Sequence, residues 1–225
     1  MNSHLLLKKS SVALLKYELD LINSGIDLIA GVDEVGRGAL AGPMVVAAAI
    51  LNPEHIRNYD VVSADLQEYL AVKDSKLISA KKRILLSKFL QNVLICYSII
   101  ELQNTQIDKE GIATCTQIGF FESIKKLKVK PDHVLTDTFE IKSLTISHQT
   151  NIISGDNKSI SIAAASIVAK VYRDNLMINF HNEEERYSVY GFDKHKGYGT
   201  KLHKEMIKKF GLSDLHRKSF KLTGW

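Results

Sequence analysis

The chain predicts an α/β fold: a mixed five-stranded sheet flanked by helices, followed by a C-terminal helical extension. Three observations lead there. Short apolar runs alternate with helix-spaced patterns in the order β-β-α-β-α-β-β-α, which builds a sheet with helices packed on it. The first two strands are joined by a connection too short for a crossover, so they pair antiparallel and the sheet is mixed. The last stretch then changes character. From Lys194 onward nine Lys and Arg stand against Glu205 and Asp214, a net +7, leaving −2 for the rest of a chain whose total is +5.

In chain order, Val12, Leu15, Leu19 and Ile22 recur at helical spacing, so residues 11–22 form a lead-in helix that packs on the domain and carries no chemistry. Residues 28–34 are the first strand and 43–51 the second, stopped by Asn52-Pro53. An irregular stretch runs to Lys73-Asp74-Ser75-Lys76. Ser79 then caps a helix over 80–93, with Ile84, Leu85, Phe89, Leu90 and Val93 on one side. A third strand, 94–100, precedes a helix over about 109–127. The fourth strand, 133–136, ends at Asp137, and a short fifth at 152–153 ends at Gly155-Asp156. The helix over 159–179 is apolar nearly all round at its start, so it is central, and Ala163-Ala164-Ala165 lets it approach the sheet closely. Residues 200–210 read as an amphipathic helix with Leu202, Met206 and Phe210 on its apolar side and Gly211 as its cap. The organisation is thus a lead-in (1–26), a main α/β domain (27–182) and a basic helical extension (183–225).

At 225 residues, 45% hydrophobic and 24% charged, the chain can bury one sizeable core. Its longest apolar runs are far short of the roughly 20 residues that span a bilayer. It shows no secretory leader pattern. Two cysteines, Cys96 and Cys115, fall in segments expected to be buried, which suits packing in a reducing, cytoplasmic setting rather than a disulfide framework. The basic tail favours an acidic polymer as partner, and nothing points beyond a monomer.

The chemistry gathers around residues 28–43. An apolar strand climbs into Asp33 and Glu34, then Gly36, Arg37 and Gly38 follow, and Gly42-Pro43 closes the turn. Buried carboxylates at a strand end are costly unless a cation sits with them. Asp137 and Asp156 also follow apolar runs, and strand ends in an α/β sheet converge on one crevice. Hard oxygen ligands without His or Cys suit Mg²⁺ or Mn²⁺, and two such ions serve an in-line displacement at phosphorus. Adjacent strand residues point to opposite faces, so Asp33 and Glu34 can share a site only where the chain leaves the strand. Tyr198, between glycines and beside Lys196, presents a ring suited to stacking on a base or sugar, although packing onto the core is an equal reading from that segment alone. Lys76 is a candidate phosphate contact. His195, His203 and His216 have irregular spacing and are expected at the surface or on phosphate.

These residues resemble a known family. Asp33-Glu34-Val35-Gly36-Arg37-Gly38 with Gly42-Pro43 is similar to the signature of bacterial type 2 ribonuclease H, ribonuclease HII. Asp74-Ser75-Lys76-Leu77, Leu135-Thr136-Asp137, Gly155-Asp156 with Ser161 to Ile167, Ala169-Lys170 and Arg173-Asp174, Lys194 to Thr200, and His216 to Phe220 resemble its further blocks, in order over 27–221. The resemblance implies a ribonuclease H-like fold and cleavage of the RNA strand of RNA–DNA hybrids. It also implies cleavage at single ribonucleotides in duplex DNA, leaving 3′-hydroxyl and 5′-phosphate ends. Asp33, Glu34, Asp137 and Asp156 match the metal-binding acids of the family. Gly36, Arg37 and Gly38 match the motif that senses the 2′-hydroxyl, and Tyr198 the tyrosine that stacks on the following deoxyribose. The third acid is usually followed by glycine in this family; here Thr138 follows, and Asp132 stands as an alternative to Asp137. A general nuclease would have no use for Gly-Arg-Gly and Tyr198 together, and a non-catalytic binder would not need four acids.

Overall fold

The structure, a computed structural model, describes residues 14–58 and 79–221. Lys76, Asp74 and the first residues of the lead-in helix lie outside them. The elements run α1 (Lys16–Asn23), β1 (Ile29–Val35), β2 (Met44–Leu51), α2 (Pro53–Arg57), α3 (Ala80–Val93), β3 (Leu94–Leu102), α4 (Asn104–Glu110), α5 (Ile112–Lys125), β4 (His133–Asp137) and β5 (Gln149–Ile152). They continue with α6 (Ile160–Glu183), α7 (Glu185–Ser188), α8 (Phe192–His195) and α9 (Lys201–Phe210). Among the described residues no helix is long and apolar enough to cross a membrane.

The strands form one mixed sheet in the order β3-β2-β1-β4-β5. β1 pairs antiparallel with β2 and β2 with β3, while β4 runs parallel to β1 and to β5. Every residue of β2 is buried, as a strand covered on both faces requires. Its Val45, Ala47 and Ala49 face one core with α6, and Val46, Ala48 and Ile50 face another with α5. Gly31 explains how closely α6 lies: a Cβ there would stand 2.0 Å from the Ser161 carbonyl carbon. Both cysteines are free and buried, packed in the α5-side core.

Four readings of the sequence need correction. The helix expected over 109–127 is two, α4 and α5, parted at Gly111, whose φ of +81° no helix accommodates. The fifth strand lies earlier than expected, and Ile153 is 73% exposed. The buried side of α3 is Arg83, Leu86, Ser87 and Leu90, with Ile84 and Leu85 exposed. The buried side of α9 is His203 and Ile207, with Leu202 and Phe210 exposed. In both helices a polar side chain fills a slot that hydrophobicity alone gives to its neighbour.

The lead-in helix is also more than packing. Glu18 is fully buried, and its Oε1 accepts hydrogen bonds from Ser159 Oγ and from the Ser161 N–H at 3.0 Å. An acid from α1 thus caps the N-terminus of α6, where free amides and the helix dipole favour it.

Candidate active site

The β1–β4 ladder ends at Val32 and Thr136, so Asp33 and Asp137 emerge side by side where the two strands part. The strand itself does not end there. Asp33, Glu34 and Val35 keep their pairing with Ala47, Val46 and Val45 of β2, so the chain does not leave the strand between the two acids as the sequence reading required. They reach one cavity because the β4 side of β1 is open at that level. Asp33 lies on the α6 face, with the Ser166 hydroxyl donating to it, and Glu34 lies on the other.

Asp156 arrives from the turn before α6. Gly155 permits this: a Cβ there would stand 2.6 Å from Ile162 Cδ1 and 3.4 Å from the Asp137 Cα. The Gly155 N–H donates to Asp137 Oδ1 at 2.7 Å, which links the two acids through backbone. Asp132, the alternative third acid, sits at the opposite end of β4 and accepts from the Leu28 N–H at 3.2 Å. The third acid of the cavity is therefore Asp137.

Asp33, Glu34, Asp137, Asp156 and Tyr198 line a single cavity of about 710 Å³, together with Arg83, Ser166, Lys170, Asp174, Lys194, His195 and Lys196. Burial raises the Asp33 carboxyl to about 7, with Asp137 and Asp156 adding repulsion. Burial likewise raises Glu34 to about 8, with the Asp33 charge next in weight and Arg37 opposing. Glu34 Oε2 is buried without a hydrogen-bond partner. Clustered, desolvated carboxylates with a vacant oxygen suit a hard divalent cation. Among the described residues no three His, Cys, Asp or Glu side chains are gathered closely enough to hold a metal ion by themselves. An ion here would complete its shell with water and substrate oxygens, as Mg²⁺ characteristically does.

The Gly-Arg-Gly stretch follows directly on Val35, the last residue of β1 on the cavity wall, and so borders the cavity as its lip. Gly36 has φ +86° and lies on Arg173, whose Nε would be 2.0 Å from an added Cβ. Gly38 is exposed, and an added Cβ would meet no protein atom within 4 Å, so packing does not demand glycine there. The Arg37 guanidinium is close enough to Glu34 to favour its ionised form, covers the Phe139 ring at 4.6 Å and lines a second cavity of about 440 Å³ with Thr114, Gln117 and Lys142. Lys76, outside the described residues, is not placed.

Arg173 and Arg217, which the sequence placed in motif blocks without a role, hold this lip. Arg173 is fully buried and donates to the carbonyls of Pro43, Ala41 and Lys196. Arg217 donates to the carbonyls of Gly42 and Arg37. Arg83, which sequence reasoning missed, and Lys170, which it named without a role, stand 3.6 and 2.7 Å from Asp174 and bring positive charge to the cavity wall. The i, i+4 spacing of Lys170 and Asp174 was the available signal. The histidines are the clearest reversal. His195, His203 and His216 are 8%, 0% and 1% exposed and contact one another rather than solvent.

A mixed sheet of this order, flanked by helices on both faces, is a ribonuclease H-like fold. The Ribonuclease HII family model matches residues 30–223, and the chain belongs to that family. It is an endoribonuclease, and the family implies cleavage of the RNA strand of RNA–DNA hybrids. The chain is 45% identical to Ribonuclease HII of Clostridium acetobutylicum over 95% of its own length and 80% of the relative's. Among solved structures, ribonuclease H2 from Pyrococcus horikoshii OT3 shares the fold with TM-score 0.66 and 23% identity, over 86% of this chain and 93% of that one. Bst-RNase HIII in complex with Mn²⁺ shares it with TM-score 0.57 and 17% identity, over 81% and 70%.

Proposed function

We propose that this endoribonuclease cuts on the 5′ side of single ribonucleotides embedded in duplex DNA, as well as within long hybrids, leaving 3′-hydroxyl and 5′-phosphate ends. The observation that carries this reading is the meeting of four carboxylates and Tyr198 in one cavity beneath the Gly36–Gly38 lip. Asp33, Glu34, Asp137 and Asp156 would hold Mg²⁺ or Mn²⁺, which when bound supplies an activated water and neutralises charge on the departing 3′-oxygen. Gly38 leaves room for a sugar edge to approach the backbone, where a 2′-hydroxyl can be recognised by hydrogen bonding. Arg37 is the phosphate-gripping charge of the lip, and Lys76 a further phosphate contact. Tyr198, in the same cavity, offers its ring to the deoxyribose that follows. Lysines 170, 194 and 196 on the wall attract the phosphate backbone.

We infer action as a monomer in the cytoplasm, the latter in keeping with two free buried cysteines. Removal of replication primers and of misincorporated ribonucleotides is the role such an activity serves. The test is cleavage of an end-labelled DNA duplex carrying one ribonucleotide, with Mg²⁺, Mn²⁺ or chelator, beside an all-DNA duplex. One cut, 5′ to the ribonucleotide and only with metal, is expected. Cutting of the all-DNA duplex, or no cut by folded protein that binds the substrate, overturns the reading.

A further inference from the structure

We propose that His216 and His203 form a relay of two neutral imidazoles that fixes the Tyr198 backbone and so positions its ring in the cavity. The functional consequence rests on the reading of Tyr198 as a substrate-contacting group.

The relay follows from hydrogen-bond polarity. The Ser213 N–H can only donate, and it stands 2.9 Å from His216 Nδ1. An imidazole nitrogen that accepts carries no proton, so the His216 proton is on Nε2. That atom is 3.0 Å from His203 Nε2, which must therefore accept. The His203 proton is then on Nδ1, 3.0 Å from the Tyr198 carbonyl oxygen, and donates to it. No other arrangement of protons leaves each contact with one donor and one acceptor. Protonating His216 would set its Nδ1–H against the Ser213 N–H, with only the Ser213 hydroxyl oxygen, 2.8 Å away, left to accept it. Protonating His203 would set two N–H groups against each other. Both rings are almost completely buried, and burial holds both near 4, so they are neutral at working pH.

The surroundings keep the rings from turning. His195 stacks on His203 with centroids 4.3 Å apart, and it is wired in the same fashion. Its Nδ1 accepts from the Gly197 N–H at 3.2 Å, and its Nε2 donates to the Tyr190 carbonyl at 2.8 Å. Phe192 meets His195 and His203 edge-on.

Tyr198 needs such a hold. It sits in a turn after Lys196 and Gly197, whose φ values are +54° and +83°, and outside any helix or strand. The relay begins at Ser213 and passes through His216. The next residue, Arg217, grips the carbonyls of Gly42 and Arg37. One short segment therefore holds the backbone of both the Gly-Arg-Gly stretch and Tyr198.

Asn places an amide near the Nδ1 position of histidine, and Gln near Nε2. His203→Asn keeps the donor to Tyr198, whereas His203→Gln loses it. The readout is the ratio of cleavage rate at a single ribonucleotide to that on a long hybrid, for Tyr198→Ala and both His203 variants, with thermal denaturation alongside. His203→Gln is expected to lower the ratio about tenfold, in the manner of Tyr198→Ala, and His203→Asn to restore most of it. Equal ratios for the two His203 variants overturn the relay, because a merely structural histidine would not distinguish them. An unchanged ratio for Tyr198→Ala overturns the Tyr198 reading instead. The relay then stands or falls on ¹⁵N NMR of the wild-type protein, which also serves if a variant fails to fold. His203 protonated on Nδ1 and His216 on Nε2 at pH 7 supports it; the opposite tautomer in either ring, or a charged ring, overturns it.

Discussion

Thr138 has a φ of +65°, a left-handed backbone that costs a β-branched residue about 1–2 kcal/mol. The turn demands it. The Thr138 N–H donates to the Ile152 carbonyl at 3.0 Å, and the Phe139 N–H donates back to the Asp137 carbonyl at 2.7 Å. The chain thereby swings off β4 directly after Asp137. The Thr138 hydroxyl, 3.2 Å from Asp137 Oδ1, recovers part of the cost. Thr138→Gly is expected to raise unfolding stability by about 1 kcal/mol, seen as a gain of roughly 2–4 °C in Tm. A fall in Tm would mean that the hydroxyl outweighs the strain. For the acids the expectation is opposite in kind. Asp33→Asn should abolish cleavage while hybrid binding, followed by filter retention, persists or tightens, because one charge repelling the phosphates is gone. Cleavage at the wild-type rate would remove Asp33 from the site. These acids were legible because each ends an apolar run, a place where a charge has no packing reason to be. Glu18 was illegible because, inside an amphipathic pattern, a buried acid looks the same as a solvated one.

Elements were legible where one signal dominated. The Ser79 cap accepts from the Lys82 N–H as its position suggested, and Gly211 ends α9; Thr200, read as the first helical residue, is instead its cap and accepts from the His203 N–H. β5 was misplaced because its residues are polar: Gln149 is buried, and its side-chain amide bonds the backbone of Ile141 and Leu144, work that periodicity does not register. The short fifth strand is defined by parallel pairing with β4, a non-local fact. The contact of α6 with β1 gives the sharpest test at this scale. Gly31 lies under the α6 backbone, two residues before Asp33, and α6 begins four residues after Asp156. Gly31→Ala must push the helix off the sheet, since the obstacle is backbone and cannot swing aside. A loss of about 3 kcal/mol or more in urea denaturation is expected, together with reduced cleavage. A change within 0.5 kcal/mol, about the effect of a neutral surface substitution, would mean that helix and strand are not so closely opposed.

For the whole molecule, burial shifts two sets of groups in opposite directions, and stability against pH should show both. His203 and His216 fall from 6.5 to about 4 on folding. Between those values the unfolded chain binds more protons, so stability rises with pH up to about 6.5. Asp33 and Glu34 rise to about 7 and about 8. Between the ordinary carboxylate range and those values the folded protein binds more protons, so this contribution falls as pH rises. Below about pH 6.5 the two oppose each other; above it, of these two sets, only Asp33 and Glu34 still titrate. Metal-free protein should therefore lose stability between about pH 6.5 and 8.5, as Asp33 and Glu34 ionise against each other in a desolvated cavity. A divalent cation binds the ionised pair and stabilises the folded state by mass action, so with saturating Mg²⁺ the decline should vanish or reverse. Denaturation midpoints across that range, with chelator and with Mg²⁺, test this directly. Asp33→Asn removes one of the two titrating charges and should flatten the chelator curve. If the wild-type curves with and without metal run parallel, the carboxylates are not where the cation binds, and the acids would have to be a structural cluster instead.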